Sequence, residues 1–237
     1  MFDMLWVDIT DRCNYQCAFC RGNYKNKSIP MIPSDDEFKQ ICLKLKYLDL
    51  LNMTPQLRIS NTLRLSGGEP TLYDLNAMLP YMKSFDSIEV ITNLSMDYNY
   101  YNALSKKFHI VASLHEDYCN VEDFIKKANL LSCSVIITIA DKSYVFYKDL
   151  ISKFQHRSKL IIVPVCIKDH EGNDKISSIV NLDNLKLMHG NSTNDLNHAI
   201  RVWTNNKFNL IENGKQIFKD GFIYDNIFID CLKNENA

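Results

Sequence analysis

Three cysteines crowd into a stretch of eight residues: Cys13, Cys17 and Cys20, in the spacing Cys-x3-Cys-x2-Cys, directly after a short apolar run. Thiolates are the usual ligands of iron–sulfur clusters, and soft sulfur donors favour such metals over hard cations. A [4Fe–4S] cluster has four irons. Three neighbouring thiolates would hold three of them and leave one open for chemistry, as catalytic metal sites keep an open position. Structural zinc wants four ligands in paired spacings, and no second Cys-x2-Cys occurs in the chain. Three incidental core cysteines are the other plain reading, and their crowding argues against it. The other five cysteines, at 42, 119, 133, 166 and 231, are scattered, unlike the disulfide framework of a small secreted protein.

The second chemical stretch is Ser66-Gly67-Gly68-Glu69-Pro70. Paired glycines let the backbone turn sharply and approach a ligand closely. A carboxylate beside them can accept hydrogen bonds from an ammonium group. Taken alone, the same residues are ordinary turn chemistry. Weaker positions follow further along. Thr92-Asn93 is either a strand-to-helix corner or a cofactor contact, because asparagine tolerates left-handed turns. Ser113 and His115 alternate about Leu114, which points both to one side of a strand. Thr138 and residues 164–166 are further candidates for the mouth of a site.

These residues need a scaffold, and the chain alternates strand with helix. Apolar runs predict strands over 5–9, 63–66, 88–92, 108–114, 134–140 and 160–166. Periodicity and capping residues predict helices over 34–51, 74–85, 97–107, 121–131 and 143–155, capped at Ser34, Asn120 and Asp141, with Pro80 disturbing the second. Such alternation calls for a parallel sheet with right-handed crossovers. The continuous apolar runs at 134–140 and 160–165 suit strands buried on both faces. Both motifs fall at C-terminal strand ends, where parallel α/β folds gather functional residues. After residue 166 the pattern weakens; a hairpin at Asn213-Gly214 and a strand near 222–229 are expected.

Together the two motifs resemble those of the radical S-adenosylmethionine (radical SAM) superfamily. Its CxxxCxΦC motif is matched by Cys13, Cys17, the aromatic Phe19 and Cys20, and its GGEP motif by Gly67, Gly68, Glu69 and Pro70. The resemblance implies an α/β fold, a partial (β/α)6 TIM-like barrel over residues 1–166, with a C-terminal appendage at 167–237 that closes the barrel or recognises substrate. It implies a [4Fe–4S] cluster on the three cysteines, with S-adenosylmethionine chelating the open iron. Reductive cleavage then yields a 5′-deoxyadenosyl radical that abstracts hydrogen from a substrate. Phe19, Gly67, Gly68, Glu69, Pro70, Asn93 and Ser113 are the implied cofactor-binding residues, with Glu69 near the cofactor's amino group. An electron donor such as flavodoxin or ferredoxin is the implied partner. The substrate reads as a peptide or small molecule.

Composition bounds the alternatives. The 237 residues carry a formal net charge of −1, and 46% are hydrophobic. There is no basic surplus for a nucleic-acid backbone. No apolar run is long enough for a membrane span, and the first residues, with Asp3 and Asp8, do not read as a signal peptide. A cytoplasmic protein is the expectation. Within the same chemistry, a glycyl-radical-enzyme activase and a viperin-like nucleotide-modifying enzyme are alternatives. An iron–sulfur protein serving only redox or binding would not need the intact GGEP. A single cysteine beyond 166 cannot hold an auxiliary cluster.

Overall fold

A computed structural model of the chain describes residues 2–17, 20, 32–139, 144–156, 159–164, 166–168, 174–176, 198–202, 207–212 and 215–222. Six strands lie side by side in chain order, all parallel: β1 (Met4–Thr10), β2 (Thr62–Gly67), β3 (Ser87–Thr92), β4 (His109–Leu114), β5 (Ser134–Ile139) and β6 (Leu160–Pro164). Between them run α1 (Asp35–Met53), α2 (Leu75–Met78), α3 (Tyr98–Leu104), α4 (Val121–Leu131) and α5 (Tyr144–Ser152). This is the expected mixed α/β architecture of a partial TIM-like barrel. A small antiparallel pair follows, β7 (Cys166–Lys168) with β8 (Asp174–Ile176). Then β9 (His198–Val202) joins the outer edge of β1 in parallel, and β10 (Lys207–Glu212) and β11 (Lys215–Phe222) continue the sheet antiparallel. Among the described residues β6 and β11 are its two edges.

The strands alternate, and the alternation sorts core from site. One face buries Leu5, Val7 and Ile9 of β1, Leu63 and Leu65 of β2, Val90 of β3, and Ile110, Ala112 and Leu114 of β4 against Ile41, Leu45, Leu48, Tyr101 and Phe124 of the helices. The other face carries Trp6, Asp8 and Thr10, then Arg64 and Ser66, then Glu89. All but Thr10, which bonds Tyr73 and the Arg12 amide, satisfy one another. Trp6 donates to the Ser66 hydroxyl, which donates to Asp8. Arg64 pairs with Glu89 at 2.7 Å and lies 5.3 Å from the Trp6 ring centre. Buried polar groups survive only when paired in this way.

Local chemistry sets the helix ends. The Ser34 hydroxyl accepts from the Glu37 amide at 3.2 Å, and Asp35, Asp36 and Glu37 fill the first turn of α1, where negative charge meets the positive end of the helix dipole. Asn120 caps α4 likewise, accepting from the Asp123 amide at 3.1 Å. The second helix is shorter than the expected 74–85. After the Asp74 cap, α2 gives way at Leu79–Tyr81 to a 3-10 turn, because Pro80 has no amide hydrogen to continue the α ladder.

Other differences are local too. β5 is not buried on both faces: Val135 and Ile137 are buried while Ser134, Ile136 and Thr138 are only half-buried. The last predicted strand divides, with β6 ending at Pro164 and Cys166 starting β7. The hairpin appears as the antiparallel pair β10 and β11, and the further strand expected near 222–229 falls, beyond Phe222, outside the described residues. Asn213, Gly214, Asp141 and 223–229 lie outside the described residues. The parallel strand β9 was not anticipated. Cys42 and Cys133 are buried in the core, as their apolar settings suggest. Among the described residues no helix is long and apolar enough to cross a membrane.

One buried cation secures the end of β3. Leu94, just beyond that strand, adopts a left-handed φ of 53°, a conformation that a branched side chain rarely takes. The Lys127 ammonium from α4 donates to the Leu94 carbonyl at 2.5 Å and the Met96 carbonyl at 2.9 Å, and pairs with Asp123. Lys127→Met removes that donor and leaves the buried Leu94 carbonyl and the partly buried Met96 carbonyl without it. We expect a loss of about 1–3 kcal/mol in denaturant unfolding; an unchanged midpoint would contradict this role.

Candidate active site at the strand ends

The site begins with two backbone hydrogen bonds. The Gly68 amide donates to the Thr10 carbonyl and the Glu69 amide to the Arg12 carbonyl, each at 2.7 Å. These bonds carry the β1–β2 pairing past the strand ends and fasten the GGEP segment to the start of the cysteine loop. They also show why both glycines are needed. A Cβ on Gly67 would sit 2.2 Å from the Thr10 carbonyl oxygen, and one on Gly68 would sit 1.9 Å from that of Arg12. Gly67 also has a φ of +128°, which side chains other than glycine rarely adopt. The close approach expected of these glycines is therefore to the cysteine-bearing segment.

A charged clamp holds the same segment from below. Arg12, next to Cys13, donates from Nε to both Glu37 carboxylate oxygens at 2.8 and 2.9 Å and also from its guanidinium terminus. Tyr73 donates to Glu37 and meets the Thr10 hydroxyl at 2.9 Å. Burial pushes the Glu37 carboxyl up, but the bonds from Arg12 and Tyr73 outweigh it and hold the group below its ordinary range. The first turn of α1, the root of the cysteine loop and the turn after GGEP are thus tied at one point. Higher up, the Asn93 side-chain amide donates to the Asn14 side-chain oxygen at 2.7 Å, joining the loop to the end of β3.

Above these ties lies a cavity of about 160 Å³ lined by Cys13, Cys17 and Cys20, by Gly67, Gly68 and Glu69, and by residues at the ends of β3 and β4. Of the residues singled out in the sequence, Asn93, Ser113 and His115 also line it, together with Thr92. Pro70 does not; it is buried at the start of a 3-10 turn, Pro70–Leu72, where it sets the direction of the chain after Glu69. Phe19 lies outside the described residues. Tyr15 and Ile91 line the cavity as well and were not singled out. Tyr15 lies between two cysteines of the motif, so its position alone marked it. The inward side of β3, which Ile91 shares with Glu89, marked the second.

Electrostatically the wall is poor in charge. Burial pushes the Cys13 thiol up to about 11 and the Cys17 thiol up to about 12, so both are protonated at neutral pH, and a metal binding there would have to displace their protons. Burial takes the His115 imidazole down to about 4, leaving it neutral. Its Nδ1 lies 3.5 Å from the Cys17 sulfur, and its ring meets Tyr15 edge-on at 6.1 Å. Among the described residues no group of three or more His, Cys, Asp or Glu side chains converges as a single-ion site; the three thiols share the wall of a cavity instead.

The ionisable group of that wall with the most donors is Glu69. It is 1% exposed, and burial pushes its carboxyl up. Four donors oppose that, and burial still outweighs them. One oxygen accepts from the Thr71 amide at 3.1 Å, the Thr71 hydroxyl at 2.5 Å and the Thr92 hydroxyl at 2.8 Å; the other accepts from the Asn93 amide at 2.8 Å. Such bonds favour the ionised form. The carboxylate is fixed in orientation, and the oxygen bound to Asn93 has the fewer partners among these contacts.

No protein-family model and no curated protein matches the sequence. Solved structures do. The structure of anSMEcpe with bound AdoMet and Cp18Cys peptide aligns with a TM-score of 0.58 at 13% identity, covering 99% of this chain and 82% of that one. A polyhistidine-tagged form of anSMEcpe with bound AdoMet aligns with a TM-score of 0.57 at 14% identity over the same shares. Coproporphyrinogen III oxidase (HemN) from Escherichia coli, described as a radical SAM enzyme, aligns at 0.46 and 12% identity, covering 78% of this chain and 51% of that one. The chain thus shares the fold of anSMEcpe across nearly its whole length.

The junction yields a direct prediction. Gly68→Ala must push the Arg12 carbonyl away or break the bond beside it. We expect about 2–4 kcal/mol of destabilisation in thermal denaturation; a melting curve identical to that of the parent would contradict the close packing.

Proposed function

We propose that this chain is a radical SAM enzyme, with a [4Fe–4S] cluster on Cys13, Cys17 and Cys20 and S-adenosylmethionine bound between that cluster and Glu69. The observation that carries the reading is the single cavity with three thiols on one wall and a buried, four-donor carboxylate on another. The residues fit the group. Three soft sulfur donors on one loop suit an iron–sulfur cluster, and a carboxyl group held in place by four donors suits an ammonium group. The shared fold with anSMEcpe, whose structure contains AdoMet and a peptide, supports the same reading.

When bound and reduced, the pair supplies one-electron cleavage of the sulfonium and a 5′-deoxyadenosyl radical able to abstract hydrogen from the substrate. The chain's own residues do the rest. Glu69 accepts the cofactor's ammonium through its less encumbered oxygen, with Thr71, Thr92 and Asn93 fixing the carboxylate. Ser113, on the far wall, is placed to donate to a carboxylate or ribose. Arg12, Glu37 and Tyr73 hold the cysteine loop so that assembly does not have to order it from nothing, which lowers the entropic cost of binding. The sparsely charged wall keeps competing protons away. The substrate is a peptide or small molecule entering at the open side of the barrel, and a flavodoxin or ferredoxin supplies the electron.

Two variants separate the parts of this reading. Cys17→Ala should take up no stable cluster after anaerobic reconstitution, because a three-ligand site does not survive the loss of one; iron and sulfide content equal to the parent would contradict the assignment. Glu69→Gln should keep the cluster but bind S-adenosylmethionine about 10–100-fold more weakly, the value of a charge-assisted hydrogen bond. The amide also sets an N–H₂ among groups that are themselves donors. Calorimetry showing an unchanged dissociation constant would remove Glu69 from the cofactor site.

A further inference from the structure

We propose that His115 is a tuning residue: its imidazole donates a hydrogen bond from Nδ1 to the Cys17 sulfur and thereby raises the reduction potential of the cluster held there. The inference rests on the cluster assigned above, and it assigns the histidine a role that the two motifs do not.

The geometry comes from β4. Ser113 and His115 alternate at its C-terminal end, and both line the cavity. His115 Nδ1 stands 3.5 Å from Cys17 Sγ, within the range of a bond to sulfur, whose lone pairs are diffuse. The ring is held in that direction. Tyr15 meets it edge-on at 6.1 Å, and Tyr118 stacks on Tyr15 with centroids 6.3 Å apart. The Tyr118 amide donates to the His115 carbonyl at 2.9 Å, closing the turn that carries the histidine. This aromatic packing leaves the imidazole little freedom to swing away from the thiol.

The direction of the bond follows from proton counting. A sulfur that carries a proton can donate to an unprotonated Nδ1. Once the sulfur is bound to iron it has no proton and can only accept. The contact then persists only with the proton on Nδ1. An N–H directed at a ligating sulfur stabilises the added negative charge of the reduced cluster more than the charge of the oxidised one. Hydrogen bonds to cluster sulfurs are among the levers that set such potentials. A cluster that must be reduced by a cellular donor gains from a potential that is less negative.

The test compares amides that imitate one ring nitrogen or the other. The Asn side-chain nitrogen reaches the position of Nδ1, the Gln nitrogen that of Nε2, and Leu offers no donor. Parent, His115→Asn, His115→Gln and His115→Leu proteins are reconstituted anaerobically, assayed for iron, and titrated potentiometrically with the reduced cluster followed by electron paramagnetic resonance, without S-adenosylmethionine. The expected result is equal iron content, a midpoint near the parent value for His115→Asn, and more negative midpoints for Gln and Leu. Should the Leu protein fail to take up iron, the Asn and Gln comparison carries the same contrast. Coincident midpoints in all variants, or an Asn value displaced as far as Gln, overturn the role of His115 while leaving the cluster in place. Failure of the parent itself to bind iron overturns the cluster assignment instead.

Discussion

Two backbone hydrogen bonds, from Gly68 to Thr10 and from Glu69 to Arg12, hold together everything that the site requires. Parallel strands ordinarily separate where their ladders end, and the loops beyond them go their own ways. Here the ladder between β1 and β2 continues for two more residues past a bulge between Asp8 and Thr10, and only glycine can occupy the crossing. The result is that the residue following the second glycine, Glu69, is fixed relative to the residue preceding the first cysteine. A carboxylate and a set of thiols from sequence positions 49 to 56 apart thereby line one cavity. The Arg12, Glu37 and Tyr73 clamp adds a second fastening to the same root.

This arrangement places cost and benefit at different points. Burying Glu69 is unfavourable in itself, and four donors from two loops offset part of that cost. Those donors belong to the turn after GGEP and to the end of β3, so the carboxylate also organises the segments that support it. The Lys127 ammonium plays the matching part on the other side of β3, satisfying carbonyls that a left-handed Leu94 leaves exposed inside the protein. The inner face of the sheet is polar below the cavity, with Trp6, Ser66, Asp8, Arg64 and Glu89 mutually paired, while the outer face is the apolar core. A barrel built this way keeps its stability on the outside and its chemistry within.

Much of this was legible in the sequence, for physical reasons that differ by element. The cysteine spacing and GGEP could be read because each is a dense local pattern, and strands β1 to β6 because their apolar runs are short and bounded. Ser34 and Asn120 announced their helices as caps. The purpose of Gly67 and Gly68 was not legible: a sequence shows that a backbone must come close to something, but not that the neighbour is Arg12, which is 56 residues earlier than Gly68. The same holds for the Glu37 clamp, for Lys127 and for the contact between His115 and Cys17, all of which join distant segments. β9 escaped notice because five residues in a polar, asparagine-rich stretch carry little periodic signal, and only pairing with β1 makes them a strand.

The proposed chemistry of this cavity is the conversion of S-adenosylmethionine into a carbon radical. The most direct measurement is anaerobic: reconstitute the protein with iron and sulfide, reduce it, add S-adenosylmethionine, and quantify 5′-deoxyadenosine by mass spectrometry. The expected result is 5′-deoxyadenosine that depends on the reductant and on the loaded cluster. A fully loaded, reduced protein that binds S-adenosylmethionine yet yields no 5′-deoxyadenosine with any peptide or small-molecule substrate would contradict it.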